Sequence, residues 1–308
     1  MSFKKKSLSL LSLLMALVLV ATLFAGCRTR DPLDEEDPGP QPPEVIEGIE
    51  RDPEVITIES IVLDFAFEIE EKYKINDHTV GWVYVPNTNI SGVVVRNPEC
   101  RDNLYYLRRD INREFYFDGI YYIDFRADLG LTREYLGVNT CIYGHAMSDD
   151  PTAQAFNVMF GNLHKFRDPD FMRENPYIFF SLPEDNMVFE IIAVFYGNVG
   201  NPRFSYNDNP ENPEDFINVI NDTVLPRSLF HFDVELSPTD RFLTLSTCIY
   251  NAGDPPGSVN LLSYRNTWYR FAIMARLLDP DTPLLEYASF VINEERIIDE
   301  DGRGGWVE

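Results

Sequence analysis

A mostly β chain closed into an antiparallel barrel is the fold class this sequence predicts, and three observations predict it. Short runs of apolar and β-prone residues recur from Val80 to Leu277, separated by turn residues. Helical spacing is confined to three short stretches, Ile58 to Lys74, Ala155 to His164 and Pro213 to Val224. No internal repeat and no glycine-rich phosphate loop interrupts the pattern. Many short strands with few helices bury their edges by closing on themselves.

Composition bounds what such a chain can do. Its 308 residues hold 50 Asp and Glu against 26 Lys and Arg, a net charge of −24. Nucleic-acid binding wants a basic face, and anionic lipid wants basic clusters, so both are argued against. The length suits one domain of about 200 to 250 residues plus appendages, with a core that needs no staples. Cys27, Cys100, Cys141 and Cys248 are too few for a disulfide scaffold, and no pair has zinc-ligand spacing. No metal or cofactor is expected. A Cys100–Cys141 bridge stays open, with no spacing argument for it.

The chain begins with Lys4-Lys5-Lys6 and an apolar run from Leu8 to Gly26, an export signal or a membrane anchor just long enough to span a bilayer. It closes in Ala25-Gly26-Cys27, which resembles a bacterial lipobox; that implies lipidation of Cys27 and removal of residues 1–26. Either way the remainder faces outward, held at the membrane. Residues 28–57 are acidic and proline-rich and cannot bury enough apolar surface to fold, so they read as a spacer.

Ile58, Ile61, Val62, Phe65, Ile69 and Tyr73 form one stripe of an expected amphipathic helix. Val80 to Pro86 and Ile90 to Val95 follow as strands about the turn Asn87-Thr88-Asn89. Phe117 to Asp124 and Gly137 to Tyr143 are the third and fourth. After the short helix Ala155–His164 the stretch to Phe171 is turn-rich. Tyr177 to Leu182 and Met187 to Tyr196 form a hairpin about residues 183–186. Gly197 to Asn212 is loop. Pro213 to Val224 is a helix with acidic Glu214 and Asp215 in its first turn. Arg241 to Cys248 is a buried strand, and Tyr269 to Leu277 another. Residues 281–308 are a partly apolar extension with a polar end.

The chemistry-bearing residues gather at strand ends. Cys248 ends one strand, where the chain turns into Asn251-Ala252-Gly253-Asp254; His145 follows another in Tyr143-Gly144-His145; Arg270 opens a third. A cysteine in this setting is most often a small buried hydrophobe. A histidine and an arginine at neighbouring strand ends turn the reading toward a thiol nucleophile, an acid/base and a fixed positive charge. His78, His164 and His231 lack such company and read as structural or solvated. Arg265 and Arg276 are the rivals of Arg270.

Thr244-Leu245-Ser246-Thr247-Cys248, Tyr143-Gly144-His145-Ala146-Met147 and Tyr269-Arg270-Phe271-Ala272-Ile273 resemble the three active-site motifs of sortases. The resemblance runs from about Ile75 to about Leu278. The two opening strands after a helix, Asn103-Leu104-Tyr105-Tyr106-Leu107, and a helix between the hairpin and the cysteine strand resemble class B in particular. The resemblance implies an eight-stranded barrel over a catalytic domain of residues 58–280. It implies a cysteine transpeptidase that cuts a sorting motif in surface proteins, holds the acyl fragment as a thioester and passes it to an amine of peptidoglycan or a pilin. Cys248 would be the nucleophile, His145 the acid/base and Arg270 the oxyanion stabiliser, with the Ile249 N–H as a further donor. Asn103, Leu107, Ser246 and Thr247 match substrate-groove positions, and Phe204 and Tyr206 stand as weaker candidates for the groove wall. Three departures stand out: a connection of 21 residues from Ile249 to Tyr269, Ala146 where asparagine is common, and a lengthened Ser148–Ala155. The competing readings are a peptidase with water as acceptor and a surface lipoprotein that binds peptides without catalysis.

Overall fold

The computed structural model describes residues 64–198, 205–249 and 269–297. The signal or anchor with Cys27, the acidic spacer, the first part of the helix expected from Ile58, Phe204 and nearly all of the 249–269 connection lie outside these residues. The first described element is α1, Ala66–Ile75. Asp64 accepts a hydrogen bond from the Ala66 N–H at 3.0 Å, which satisfies one of the donors that a helix start leaves open. Of the expected stripe, Ile69 is buried and Phe65 stacks on Trp82 at 5.4 Å, while Tyr73 is half exposed.

Ten strands follow among the described residues: β1 (Thr79–Tyr84), β2 (Ser91–Val95), β3 (Tyr121–Ile123), β4 (Asn139–Tyr143), β5 (Tyr177–Leu182), β6 (Asp185–Asn198), β7 (Phe230–Phe232), β8 (Phe242–Cys248), β9 (Tyr269–Leu277) and β10 (Phe290–Ile292). Eight of them close into a barrel in the order β1-β2-β3-β4-β8-β9-β6-β5, and β7 pairs with β10 outside it. The eight-stranded barrel is as expected, but it is not wholly antiparallel. β2 pairs with β3 and β4 with β8 in parallel. Both seams join strands separated by long connections, the condition under which parallel pairing becomes possible.

Alternation along the strands divides two cores. Leu243 and Leu245 of β8, Phe271, Ile273 and Ala275 of β9 and Ile142 of β4 fill the barrel with Phe180 and Phe189. Phe242, Ala272 and Met274 point outward, against Phe216, Ile220 and Val224. Those last three belong to the stretch read as one helix over Pro213–Val224. It forms α3 over Pro213–Val219 and widens to a π turn at Ile220–Val224. In β6 the register slips between Ile191 and Ala193. This bulge puts neighbours Ile192 and Ala193 on the same outer side, between inward Ile191 and Val194.

Other local expectations shift. Residues 154–167 form two stretches of 3₁₀ helix, Gln154–Asn157 and Met159–Arg167. The stretch read as turns ends in a short helix, α2, at Pro169–Glu174. Asp168 caps it by accepting from the Asp170 and Phe171 N–H groups, and Pro169 stands at its first position, where no N–H is needed. The β5–β6 hairpin is tighter than read, since Leu182 already pairs with Asp185. Cys100 and Cys141 are free thiols, not a bridge. The segment 281–297 is stitched to the body by hydrogen bonds from Leu285 to Tyr177, Ala288 to Arg173, Asn293 to Leu229 and Ile297 to Pro226.

The barrel interior is tightly filled, and Phe180 has no exposed surface. Phe180→Ala should lower the unfolding free energy by about 3 to 5 kcal/mol, measured by urea denaturation. A loss under about 1 kcal/mol would show that the interior is not packed as described.

Candidate active site

Inward Leu243, Leu245 and Ile249 set the phase of β8, so Phe242, Thr244, Ser246 and Cys248 share its outer face. On β9, inward Phe271 and Ile273 leave Arg270 and Ala272 outside by the same rule. Cys248 is the direct cross-strand partner of Arg270. Directly opposed side chains on one face stand about 5 Å apart at Cβ. Both residues are half-buried. Arg276 lies at the far end of the same pairing, opposite Phe242, and is ion-paired with Glu190 at 3.3 Å. The register therefore separates Arg270 from that rival; Arg265 lies outside the described residues.

His145 arrives from the other side of β8. Tyr143 of β4 is level with Ser246 in a parallel register, and the Gly144 N–H reaches the Ser246 carbonyl at 3.4 Å. His145 lies two residues beyond Tyr143, and Cys248 two residues beyond Ser246, at the same edge. Gly144 has to be glycine here. A Cβ would lie 2.8 Å from the Phe160 ring and 2.9 Å from that of Tyr121. The Gly144 carbonyl accepts from the Thr247 hydroxyl at 2.7 Å, and the His145 carbonyl from the Phe160 N–H at 2.7 Å.

The His145 ring is held in one tautomer. Its Nε2 lies 2.7 Å from the Leu107 carbonyl oxygen. A carbonyl only accepts, so Nε2 carries the proton and Nδ1 keeps its lone pair. Burial pushes the pKa of His145 below the ordinary imidazole value. The Leu107 bond opposes this, while the positive charges of Arg108 and Arg270 push further down. At neutral pH the resting ring is a neutral base, not a standing imidazolium.

The four groove candidates sit differently. Asn103 donates to Asp124 Oδ2 at 2.8 Å and accepts from the Phe125 N–H at 3.0 Å. It also lines a small hollow with Tyr105, Tyr122 and Phe125. Leu107 is half-buried and contributes its carbonyl to His145. Ser246 and Thr247 are 1% and 2% exposed. Their hydroxyls are bonded within the protein, to the Tyr206 hydroxyl at 2.8 Å and the Gly144 carbonyl. Tyr206, offered as groove wall, is fully buried.

Two features carried no sequence signal because the partners that tie them to the site, Asn103 and Tyr143 for Asp124 and Cys248 for His164, are distant in the chain. Asp124 is buried and accepts from Arg126 Nε and Nη2, both at 2.8 Å, from Asn103 and from the Tyr143 hydroxyl at 2.7 Å. Burial pushes this carboxyl up, and the Arg126 bonds and charge more than reverse it, so it stays below the ordinary range. His164, read as structural or solvated, lies 2% exposed behind the cysteine. Its Nε2 donates to the Cys248 carbonyl at 3.1 Å. Burial lowers its pKa to about 4, with Arg167 adding to the effect. His78 contacts the Tyr106 hydroxyl at 2.8 Å, and His231 is exposed. Among the described residues no cluster of His, Cys, Asp and Glu is placed to hold a metal ion, and no helix is long and apolar enough to cross a membrane.

No family profile matches the chain. It is 31% identical to sortase B of Listeria monocytogenes over 183 residues, which is 59% of this chain and 67% of that protein. Sortase B of Staphylococcus aureus is 28% identical over 181 residues, again 59% of the chain and 67% of its own length. Among solved structures, a mutant form of Clostridium perfringens sortase B is similar at a TM-score of 0.55 and 26% identity, covering 70% of this chain and 88% of that one. A Staphylococcus aureus sortase B–substrate complex gives 0.54 and 24%, over 70% of this chain and 86% of that one.

Gly144→Ala should lower kcat and destabilise the fold by about 1 to 3 kcal/mol, the usual cost of overpacking, since its methyl must push Phe160 or the backbone that leads to His145. Wild-type turnover in this variant would contradict the crowding described. The depressed His164 sets a pH dependence. A folded-state pKa of about 4 against an ordinary 6.5 means that the ring's contribution is complete above pH 6.5 and is lost as pH falls toward 4. Over that window the unfolding free energy should drop by about 3 kcal/mol on account of this ring. Urea melts across pH should show that His164→Phe flattens the slope; an unaltered slope would place the acid sensitivity elsewhere.

Proposed function

The chain belongs to the sortase B family and is a sortase-type cysteine transpeptidase, and on that premise we propose that Cys248, His145 and Arg270 carry its chemistry on a sorting peptide. The observation that supports this most is the register that sets Cys248 opposite Arg270, at the barrel edge where the parallel strand leading to His145 also ends.

His145 Nδ1 takes the proton of the Cys248 thiol, and the thiolate adds to the scissile carbonyl carbon. The negative charge that develops on the carbonyl oxygen is met by the Arg270 guanidinium and the Ile249 N–H. Collapse breaks the peptide C–N bond. The imidazolium returns its proton to the leaving amine, and a thioester remains on Cys248. An incoming amine then adds to the thioester, His145 removes its extra proton, and the thiolate departs as a new amide bond forms. His145 begins as a neutral base, which its depressed pKa favours; the imidazolium forms in the step itself.

Asn103 and Leu107 line the peptide groove, while Ser246 and Thr247 hold the strand end from behind. The solved Staphylococcus aureus sortase B–substrate complex and a sortase B structure complexed with triglycine support a peptide donor and a short glycine amine as the classes to try. The signal segment, with lipid on Cys27 or with residues 1–26 retained as an anchor, holds the enzyme at the outer membrane face. From there it joins surface proteins to peptidoglycan or to a pilin.

A panel of fluorophore- and quencher-flanked pentapeptides, with and without triglycine, tests this. A ligated product is expected. Cleavage that triglycine never diverts would make water the acceptor, and no reaction across the panel would leave peptide binding as the role. Cys248→Ala should abolish cleavage. His145→Ala should lose roughly 10² to 10⁴ in rate, and Arg270→Ala roughly 10² to 10³ in kcat. Processing by the Cys248→Ala variant would overturn the assignment. The intact mass of the membrane-extracted protein shows whether Cys27 carries lipid or residues 1–26 are retained.

A further inference from the structure

The segment that leaves β4 through His145 returns beneath the cysteine. After Phe160 has donated its N–H to the His145 carbonyl, the 3₁₀ helix Met159–Arg167 brings His164 against the end of β8. The imidazole lies over Phe271, with ring centroids 4.7 Å apart and planes 30° apart, and its Nε2–H donates to the Cys248 carbonyl at 3.1 Å. It takes up the ladder where β4 lets go. The last rung between the two parallel strands runs from the Gly144 N–H to the Ser246 carbonyl, and Cys248 is the next residue of β8 with the same outlook.

A histidine is a costly choice for this place. Its Nδ1 is buried with no hydrogen-bond partner, a loss that phenylalanine would not incur. Arg167, whose guanidinium bonds the carbonyls of His164 and Asp149, adds positive charge beside the ring, and buried Asp149 opposes it. What the imidazole offers that phenyl does not is one N–H directed at one carbonyl. That carbonyl belongs to the peptide group joining Cys248 to Ile249. A trans peptide is planar, with its C=O and N–H directed oppositely. Holding the Cys248 carbonyl from behind therefore fixes where the Ile249 N–H points.

We infer that His164 is a positioning residue: its Nε2–H clamps the Cys248–Ile249 peptide so that the Ile249 N–H faces the developing oxyanion. This rests on the reading of Cys248 as the nucleophile and Ile249 as an oxyanion donor. His164 touches no reacting atom and acts through the peptide plane.

The test compares His164→Phe, which keeps the ring contact with Phe271 and removes the donor, with His164→Gln, whose side-chain amide can restore an N–H near the Nε2 position. Both are made in the full chain and assayed on the panel pentapeptide that the wild type cleaves fastest. Melting curves at neutral pH confirm folding. For His164→Phe, kcat should fall about 10- to 100-fold, short of the roughly 10² to 10³ that follows outright removal of an oxyanion donor, while KM stays within about twofold of wild type. His164→Gln should recover most of the loss. Alkylation of Cys248 by iodoacetamide, read by peptide mass, forms no oxyanion, so its rate should be the same in all three proteins. An unchanged kcat in His164→Phe overturns the inference. So do equal losses in both variants, which would make the role one of packing, and parallel losses of turnover and alkylation, which would mean that the cysteine itself has moved. Cys248→Ala runs alongside. Activity in that variant sinks the nucleophile reading, whereas a dead Cys248→Ala with a fully active His164→Phe sinks only the role given to His164.

Discussion

The parallel register between β4 and β8 is the constraint on which the candidate site depends. Tyr143 lies level with Ser246, and both strands run the same way. Their C-terminal ends therefore open at one edge, where His145 and Cys248 emerge together. Antiparallel pairing of the same residues would send them to opposite ends of a five-residue strand, about 17 Å apart. β9 then runs antiparallel to β8 and starts at that edge, so Arg270 is there from the outset. Two strand ends and one strand start converge on a single rim. Parallel pairing requires a long crossover, and the chain between β4 and β8 uses its crossover to build the β5–β6 hairpin and α3.

Behind that rim stands a polar network that keeps the outer face of β4 in place. Asp124 gathers Arg126, Asn103 and the Tyr143 hydroxyl, and Asn207 donates to Tyr143 in turn at 2.7 Å. Asn139 bonds the carbonyls of Tyr206 and Asp208 and accepts from Thr244 at 2.9 Å. A buried carboxylate with fewer donors would be costly. Desolvation pushes the Asp124 carboxyl up, but the Arg126 bonds and charge together with the Tyr143 hydroxyl hold it below the ordinary carboxylate range. The same carboxylate ties the loop that carries Asn103 and Leu107 to the strand that leads to His145.

Two histidines illustrate how environment divides a residue type. Each donates its Nε2–H to a backbone carbonyl, and burial lowers the pKa of each. His145 is half-buried at the rim, and its Nδ1 keeps its lone pair. His164 is enclosed, and its Nδ1 faces no polar partner. One is partly open to solvent; the other is kept neutral and serves as a fixed donor to the Cys248 carbonyl.

Much of this was legible in the linear chain. Alternating β-prone runs foretold most of the strands, the scarcity of helical spacing foretold a closed barrel, and the strand-end positions of His145, Cys248 and Arg270 followed from apolar runs that stop where polar turns begin. The shorter pieces were not legible. β7 and β10 are three residues each and exist because they pair with one another. The bulge at Ile192 is invisible in a run of apolar residues that suits either face. α2 was marked by Asp168-Pro169, yet its six residues are too few to show a helical period. What the sequence by itself determined is that His145, Cys248 and Arg270 each stand at or just beyond the end of a strand, since that is a property of local order. The tertiary structure decided the rest: the parallel seam, the placing of Arg270 rather than Arg276 opposite Cys248, the tautomer of His145 and the contact of His164 with Cys248. All four depend on partners many residues away, and a chain reveals such partners only when its strands have met.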